Sequence, residues 1–321
     1  MRIAFFTEGG YQGKVPREHP NMRTDLAWIH ALDGYHHSIP TLHTIKSFKY
    51  DLGIIILPKK KRHLLDYPIV EYMRNLCDKI AVMQECTYWY WQDDEIDEQI
   101  WYYNVLTEMD IIFCHNDIDL KYYKGLVGNK CEKLQTLMIT DHIKKSDGKP
   151  NGVMIGGNFT GIYRGFDDYI VANEISDNIS AITSGRMKKE EDSLPINHIP
   201  WCSWLEWMFI LSNYKYGIHL GMAAAGTFNL NCSYLGIPCI GYDTFNTQRI
   251  LHPSLSVADG DVGKARLLAN KLKEDKEFYE ECSKETKLKF NEHYSEKVFL
   301  TELDKIFKKY KVGDLNSDNY R

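Results

Sequence analysis

Two short apolar runs, each closed by paired glycines and followed by a helical pattern, constrain this chain more than any other feature. Ile3-Ala4-Phe5-Phe6-Thr7-Glu8-Gly9-Gly10 opens the chain. Gly152-Val153-Met154-Ile155-Gly156-Gly157-Asn158-Phe159 lies near its middle. A strand, a glycine turn and a helix together begin a parallel α/β unit. Two such starts about half a chain apart predict two α/β units facing each other. Glycine lets a backbone approach phosphate closely, and the following helix offers unpaired N–H groups and a positive dipole end. Gly9, Gly10, Gly156 and Gly157 are therefore candidate contacts to a diphosphate.

The length of 321 residues suits two domains of about 150 each. Strand and helix patterns alternate almost throughout. Strands are expected at Ile3–Thr7, Asp51–Leu57, Ile80–Gln84 and Asp110–Cys114 in the first half. The second half should carry them at Val153–Ile155, Ser180–Thr183, Tyr216–Leu220, Cys239–Gly241 and Leu255–Val257. Helices are expected over Trp201–Leu211, Thr227–Leu235 and Asn246–Leu251, with more helix from Val262 to about Lys311. The polar, turn-rich stretch at 144–151 is the linker candidate. The expected domains are 1–148 and 149–300, with a helix and tail at 301–321.

Several classes are disfavoured. No apolar run approaches the roughly 18 residues of a transmembrane helix. The first residues lack a signal-peptide pattern. Eight cysteines are scattered without a Cys-x-x-Cys pair, which reads as reduced, buried thiols and a cytoplasmic protein. The net charge of −5 argues against bulk electrostatic capture of nucleic acid. The charge is uneven, however. Residues 1–79 hold 12 Lys and Arg against 8 Asp and Glu, whereas 80–120 hold 10 acids and no Lys or Arg. Lys59-Lys60-Lys61-Arg62 follows a strand end and reads either as a solvated loop or as a contact to acceptor phosphate.

Neither glycine turn spells G-x-G-x-x-G, and no Walker A motif is present, so hydride transfer and ATP hydrolysis are weak readings. The second half carries a more specific order. Ile199-Pro200-Trp201 precedes a helix, Ala223-Ala224-Ala225-Gly226-Thr227-Phe228-Asn229-Leu230-Asn231 follows, and Leu235-Gly236-Ile237-Pro238-Cys239-Ile240-Gly241 comes next. This order resembles the C-terminal domain of GT-B glycosyltransferases, in which a helix N-terminus meets the donor phosphates. A narrower likeness is to bacteriophage DNA β-glucosyltransferases. Gly156-Gly157-Asn158-Phe159 with Arg164 downstream is similar to their Gly-Gly-Ser-Phe turn and phosphate-binding arginine. Asp243-Thr244-Phe245-Asn246-Thr247-Gln248-Arg249-Ile250 is similar to their segment after the same late strand. Lys79–Glu85 is similar to their strand ending in a catalytic aspartate, with Glu85 in its place. Thr160 stands where a second arginine would be expected, and Asn231 stands near the usual acidic residue of the donor site.

The resemblance implies two Rossmann-like doubly wound domains, with the terminal helix crossing back over the first. It also implies a nucleotide-diphosphate sugar, most simply a UDP-sugar, as co-substrate with no metal required. The best acceptor on this reading is a hydroxymethylated pyrimidine in double-stranded DNA, flipped from the duplex in the host cytoplasm. Alternatives are a surface glycan or small molecule as acceptor, and a non-catalytic module that binds nucleotide sugar or nucleic acid.

The residues can also be weighed on their own chemistry. Arg164 past a glycine turn can grip a diphosphate bidentately, or be a surface arginine. Thr227 and Asn229 open a helix and either meet an anion or merely cap it. Trp201 either walls a nucleobase pocket or packs in the core. Glu85, at the carboxyl edge of the first sheet, is the candidate general base or a locally satisfied acid, with Glu8 and Asp25 in reserve. Asp117-Ile118-Asp119 resembles a metal-binding D-x-D but equally suits a helix cap.

Overall fold

The computed structural model describes residues 1–8, 12–16, 19, 21, 24–45, 49–57, 62–84, 87–156, 165–183, 193–221 and 226–315. The chain divides into two compact units, Met1–Ile139 together with Glu296–Arg321, and Thr140–Ser295. The expected divisions lay at 148/149 and 300/301. No helix among the described residues is long and apolar enough to cross a membrane.

The first unit holds six parallel strands: β1 (Ile3–Thr7), β2 (Tyr35–Ser38), β3 (Tyr50–Ile55), β4 (Cys77–Gln84), β5 (Ile111–Cys114) and β6 (Cys131–Lys133). Their order is β2-β1-β3-β4-β5-β6. The central strands are buried on both faces, as Ile3-Ala4-Phe5-Phe6 and Leu52-Gly53-Ile54-Ile55 suggest. The final helix, Glu296–Tyr310, returns to this unit. Its Phe299 ring lies 5.0 Å from that of fully buried Trp28, which also meets Phe113 at 5.4 Å. At the far end, the Tyr310 hydroxyl donates to the Asn129 carbonyl at 3.1 Å. The apolar seam of this amphipathic helix thus packs it on the first unit.

The second unit holds β7 (Val153–Ile155), β8 (Ile179–Thr183), β9 (Asn197–Pro200), β10 (Tyr216–His219), β11 (Cys239–Tyr242) and β12 (Ser256–Val257). All pairs are parallel, in the order β12-β11-β10-β7-β8-β9. Neighbouring residues of β10 face opposite layers, as strand alternation requires. Ile218 joins a cluster with Val171, Ala172, Ala265 and Ala269. A β-carbon on Gly217 would instead lie 3.0 Å from Cys232 Sγ, on helix Thr227–Leu235. Helices therefore cover both faces, and each unit is a doubly wound α/β layer structure.

Three strands were not anticipated: β2, β6 and β9. Each is an edge strand, and an edge strand lacks the continuous apolar run that marks a central one. The helix expected from Trp201 begins only at Trp204. Ser203 caps it: the hydroxyl accepts from the Glu206 N–H, and Ser203 N–H donates to Glu206 Oε2 at 2.9 Å. Of the seven described cysteines, six are buried and Cys202 is half-buried.

Candidate functional site

Open parallel sheets bind ligands beyond their carboxyl ends, where successive connections leave in opposite directions. In the second sheet that point lies between β7 and β10. Gly156 follows β7 there and donates its N–H to the Ile218 carbonyl at 2.9 Å. A β-carbon on Gly156 would come within 2.4 Å of Phe228 Cδ1, so only glycine lets helix Thr227–Leu235 settle against the strand end. Gly226 opens that helix with φ +58°, in the left-handed region. A β-carbon on Gly226 would lie 2.4 Å from Thr247 Cβ. Both glycines bring a helix N-terminus with its unpaired N–H groups to the edge of the sheet.

A polar ladder fixes this helix from beneath. His219, at the end of β10, donates through Nδ1 to Asn229 Oδ1 at 3.0 Å. Asn229 Nδ2 donates to Gln248 Oε1 at 2.5 Å, and Gln248 Nε2 donates to the Cys239 carbonyl at 3.0 Å. His252 Nε2 donates to the Asn229 carbonyl at 3.0 Å, while its Nδ1 accepts from Thr286 Oγ1 at 3.1 Å. Burial pushes the His252 imidazole down to about 4. With its amide turned to suit its neighbours, Asn231 accepts from Trp207 Nε1 at 2.9 Å and donates to the Thr227 carbonyl at 3.2 Å. Asn229 and Asn231 were candidates for direct donor contact. The structure turns both amides into the interior, where they hold the helix. Thr227, half-buried in the first turn, stays at the surface of the site.

Asp168 was not anticipated. It is fully buried, and its carboxylate accepts from Leu220 N–H at 2.8 Å and Gly165 N–H at 3.0 Å. It thus ties the segment after β10 to the helix that follows β7. Trp201 follows β9 and is 62% exposed, so the core reading of this residue is overturned. Gly157, Asn158 and Arg164 lie outside the described residues, as does Thr160.

In the first sheet the corresponding point lies between β1 and β3. Glu8 follows β1, and its Oε1 lies 3.3 Å from Nε2 of His63, in the 3-10 turn Arg62–Leu64 after β3. Thr7 Oγ1 and His36 Nε2 lie 2.5 Å apart in the interior. Arg62 pairs with Glu95 at 2.6 Å and Asp97 at 3.5 Å. Asp25 sits in the first turn of helix Thr24–Ala31, and Thr24 Oγ1 donates to its Oδ1 at 3.0 Å. Gly9, Gly10, Lys59, Lys60, Lys61 and Glu85 lie outside the described residues.

The D-x-D motif has its two carboxylates on different partners. Asp117 pairs with Lys133 at 2.7 Å. Asp119 accepts from the Tyr88 N–H at 2.9 Å and from Asn116 Nδ2 at 2.6 Å, while Asn116 Oδ1 caps the helix by accepting from Asp119 N–H. Burial raises Asp119 to about 6. Among the described residues no group of three His, Cys, Asp or Glu side chains is placed to hold a metal ion.

No protein-family model matches this chain, and no curated protein matches its sequence. Solved structures do share its fold. Anabaena HepE in complex with UDP-glucose superposes with a TM-score of 0.69 at 8% identity, over 96% of this chain and 100% of that one. Sucrose-phosphate synthase from Thermosynechococcus elongatus gives 0.66 at 8% identity, over 96% and 99%. An α-glucosyltransferase in complex with UDP and a 13-mer DNA containing an HMU base gives 0.64 at 10% identity, over 96% and 99%. With two parallel six-stranded Rossmann-like units and a last helix returned to the first, the chain has the GT-B fold and shares it with these structures.

Proposed function

We propose that this chain is a glycosyltransferase that moves a sugar from a UDP-sugar to an acceptor hydroxyl. The observation that carries the reading is the switch point of the second sheet. There, Gly156 and Gly226 bring a helix N-terminus to the strand ends, in a fold shared with a structure holding UDP-glucose. In this reading the N-terminal N–H groups at Thr227, the turn Gly156-Gly157-Asn158 and the Arg164 guanidinium take the diphosphate. Exposed Trp201 stacks on the uracil. Helix dipole and guanidinium supply the positive charge that the departing UDP needs, so the mechanism requires no metal. The acceptor oxygen bonds to the anomeric carbon, the bond from that carbon to UDP breaks, and the acceptor proton passes to a general base. The sequence resemblance supplies Glu85 for that step.

UDP should raise the melting temperature of the protein. Arg164→Ala should weaken UDP binding about 10- to 150-fold, the loss of one charge-assisted contact of roughly 1.5–3 kcal/mol. Unchanged affinity in Arg164→Ala would remove this residue from the site.

For the acceptor, the reading is a hydroxymethylated pyrimidine in DNA. It is supported by the excess of basic residues in 1–79 and by the fold shared with a DNA-bound glucosyltransferase. Lys59, Lys60, Lys61 and Arg62 would meet phosphate, and binding would weaken steeply with salt. One observation favours a second reading, transfer to a glycan or small molecule. Glu95 and Asp97 already neutralise much of the Arg62 charge. Sugar transferred to glycans and never to hydroxymethylated duplex would decide for that alternative.

A further inference from the structure

We propose that the outer face of helix Ile96–Glu108 is a docking surface for a partner protein that presents a basic amphipathic helix. The inference goes beyond the sugar transfer proposed above and does not depend on it.

This helix carries two apolar faces. Tyr102, Val105 and Leu106 are buried and join the core of the first unit. Ile96, Ile100 and Tyr103 lie on the solvent side and are 71%, 56% and 39% exposed. Their positions in the sequence stack them in one line along the helix. A surface helix ordinarily turns one apolar stripe inward and covers the rest with polar groups. Single exposed apolar residues need no explanation, but three aligned on the outer face make a contiguous stripe. A line of anchors at i, i+4 and i+7 is what a second helix packs against.

Charge selects the partner. From Asp93 to Glu108 the sequence has six acids and no Lys, Arg or His. Asp97, Asn104 and Glu108 are exposed and run alongside the apolar line, while exposed Asp93 and Glu95 lie at its start. The acids at that start already hold one cation, because Arg62 reaches Glu95 at 2.6 Å and Asp97 at 3.5 Å. A partner helix with Lys or Arg beside its own apolar face would meet Asp93 and Glu108 in the same way, while its apolar face covers Ile96, Ile100 and Tyr103. The same charge disfavours other occupants. Phosphate-bearing surfaces, whether nucleic acid or an anionic bilayer, are repelled. A second copy docking through this face would bring the same acids together with no base on either helix.

The test uses the full chain and, as probe, a fluorescent synthetic helix of leucine and lysine with every leucine on one face. A scrambled peptide of the same composition, its leucines spread around the helix, is the control. Ile96→Ala and Ile100→Ala keep helix propensity, and circular dichroism checks that both variants fold. By fluorescence anisotropy the patterned probe should bind at least about tenfold more tightly than the scrambled one. Each alanine change should weaken that binding about fivefold or more. Glu108→Gln should weaken it less and flatten its dependence on salt. Leu267→Ala, at a leucine of the second unit that is 71% exposed, should leave it unchanged. Equal affinity for the two peptides, or patterned binding that survives both isoleucine changes, would overturn the proposal. Sedimentation showing self-association of the wild type that Ile100→Ala abolishes would also overturn it and give the face to a second copy. Binding to phosphatidylserine vesicles that Ile100→Ala abolishes would overturn it in favour of a membrane.

Discussion

Gly156 and Phe228 are packed so closely that a β-carbon on the glycine would lie 2.4 Å from the ring. This contact sets the height at which helix Thr227–Leu235 meets the end of β7, and so the position of the N–H groups proposed to hold a diphosphate. Gly156→Ala should therefore cost stability by overpacking, about 1–3 kcal/mol, and weaken UDP binding. Combining it with Phe228→Leu should destabilise less than the sum of the two single changes, because the pair shares one contact. Additive melting-temperature losses would show that the two residues do not constrain each other.

Trp201 offers the opposite case, a large ring whose removal should leave the fold alone. It is 62% exposed, so Trp201→Ala should change stability by no more than about 0.5 kcal/mol. If the ring stacks on the donor base, UDP affinity should fall about 5- to 150-fold, matching the roughly 1–3 kcal/mol of a base–aromatic stack. Calorimetric titration of the variant with UDP checks this, and an unchanged affinity would place the ring outside the site.

Much of the fold was legible because the central strands announce themselves. Ile3–Thr7 and Val153–Ile155 have the bounds their apolar runs suggest, as does helix Thr227–Leu235. The missed strands are edges. Tyr35-His36-His37-Ser38 and Asn197-His198-Ile199-Pro200 carry few apolar residues because one flank of each has no strand beside it. The late start of helix Trp204–Leu211 was readable, since Ser203-x-x-Glu206 is a capping-box pattern. The site was less legible. Glycines at strand ends are local signals, but the inward turn of Asn229 depends on His219 and Gln248, and the role of Asp168 depends on Leu220. Likewise the contact of His63 with Glu8 joins the ends of two adjacent strands far apart in sequence. Pairings remote in sequence have no periodicity to betray them.

Acid should destabilise the protein through its buried imidazoles. Burial lowers both His115 and His252 from 6.5 to about 4. Between those values the unfolded chain binds protons that the folded chain does not. Stability is thus fully present above pH 6.5 and falls toward pH 4, by up to about 1.4 kcal/mol per pH unit for each group. Asp119 opposes this trend. Its carboxyl is raised from 3.8 to about 6, so it adds stability as pH falls through that range. His252→Gln keeps a donor toward the Asn229 carbonyl and removes one of the two imidazoles. Its stability between pH 6.5 and 4 should decline less steeply than that of the wild type, in denaturant titrations at stepped pH. Parallel curves would contradict the assignment of His252.

The central claim is sugar transfer from UDP-sugar, and one assay tests it most directly. The wild-type chain is incubated with radiolabelled UDP-sugars and three acceptors in parallel: hydroxymethylated duplex, unmodified duplex and a glycan mixture. The account predicts that label moves to an acceptor with release of UDP, and that the hydroxymethylated duplex is the one labelled. No label on any acceptor, together with no rise in melting temperature on adding UDP, would contradict it.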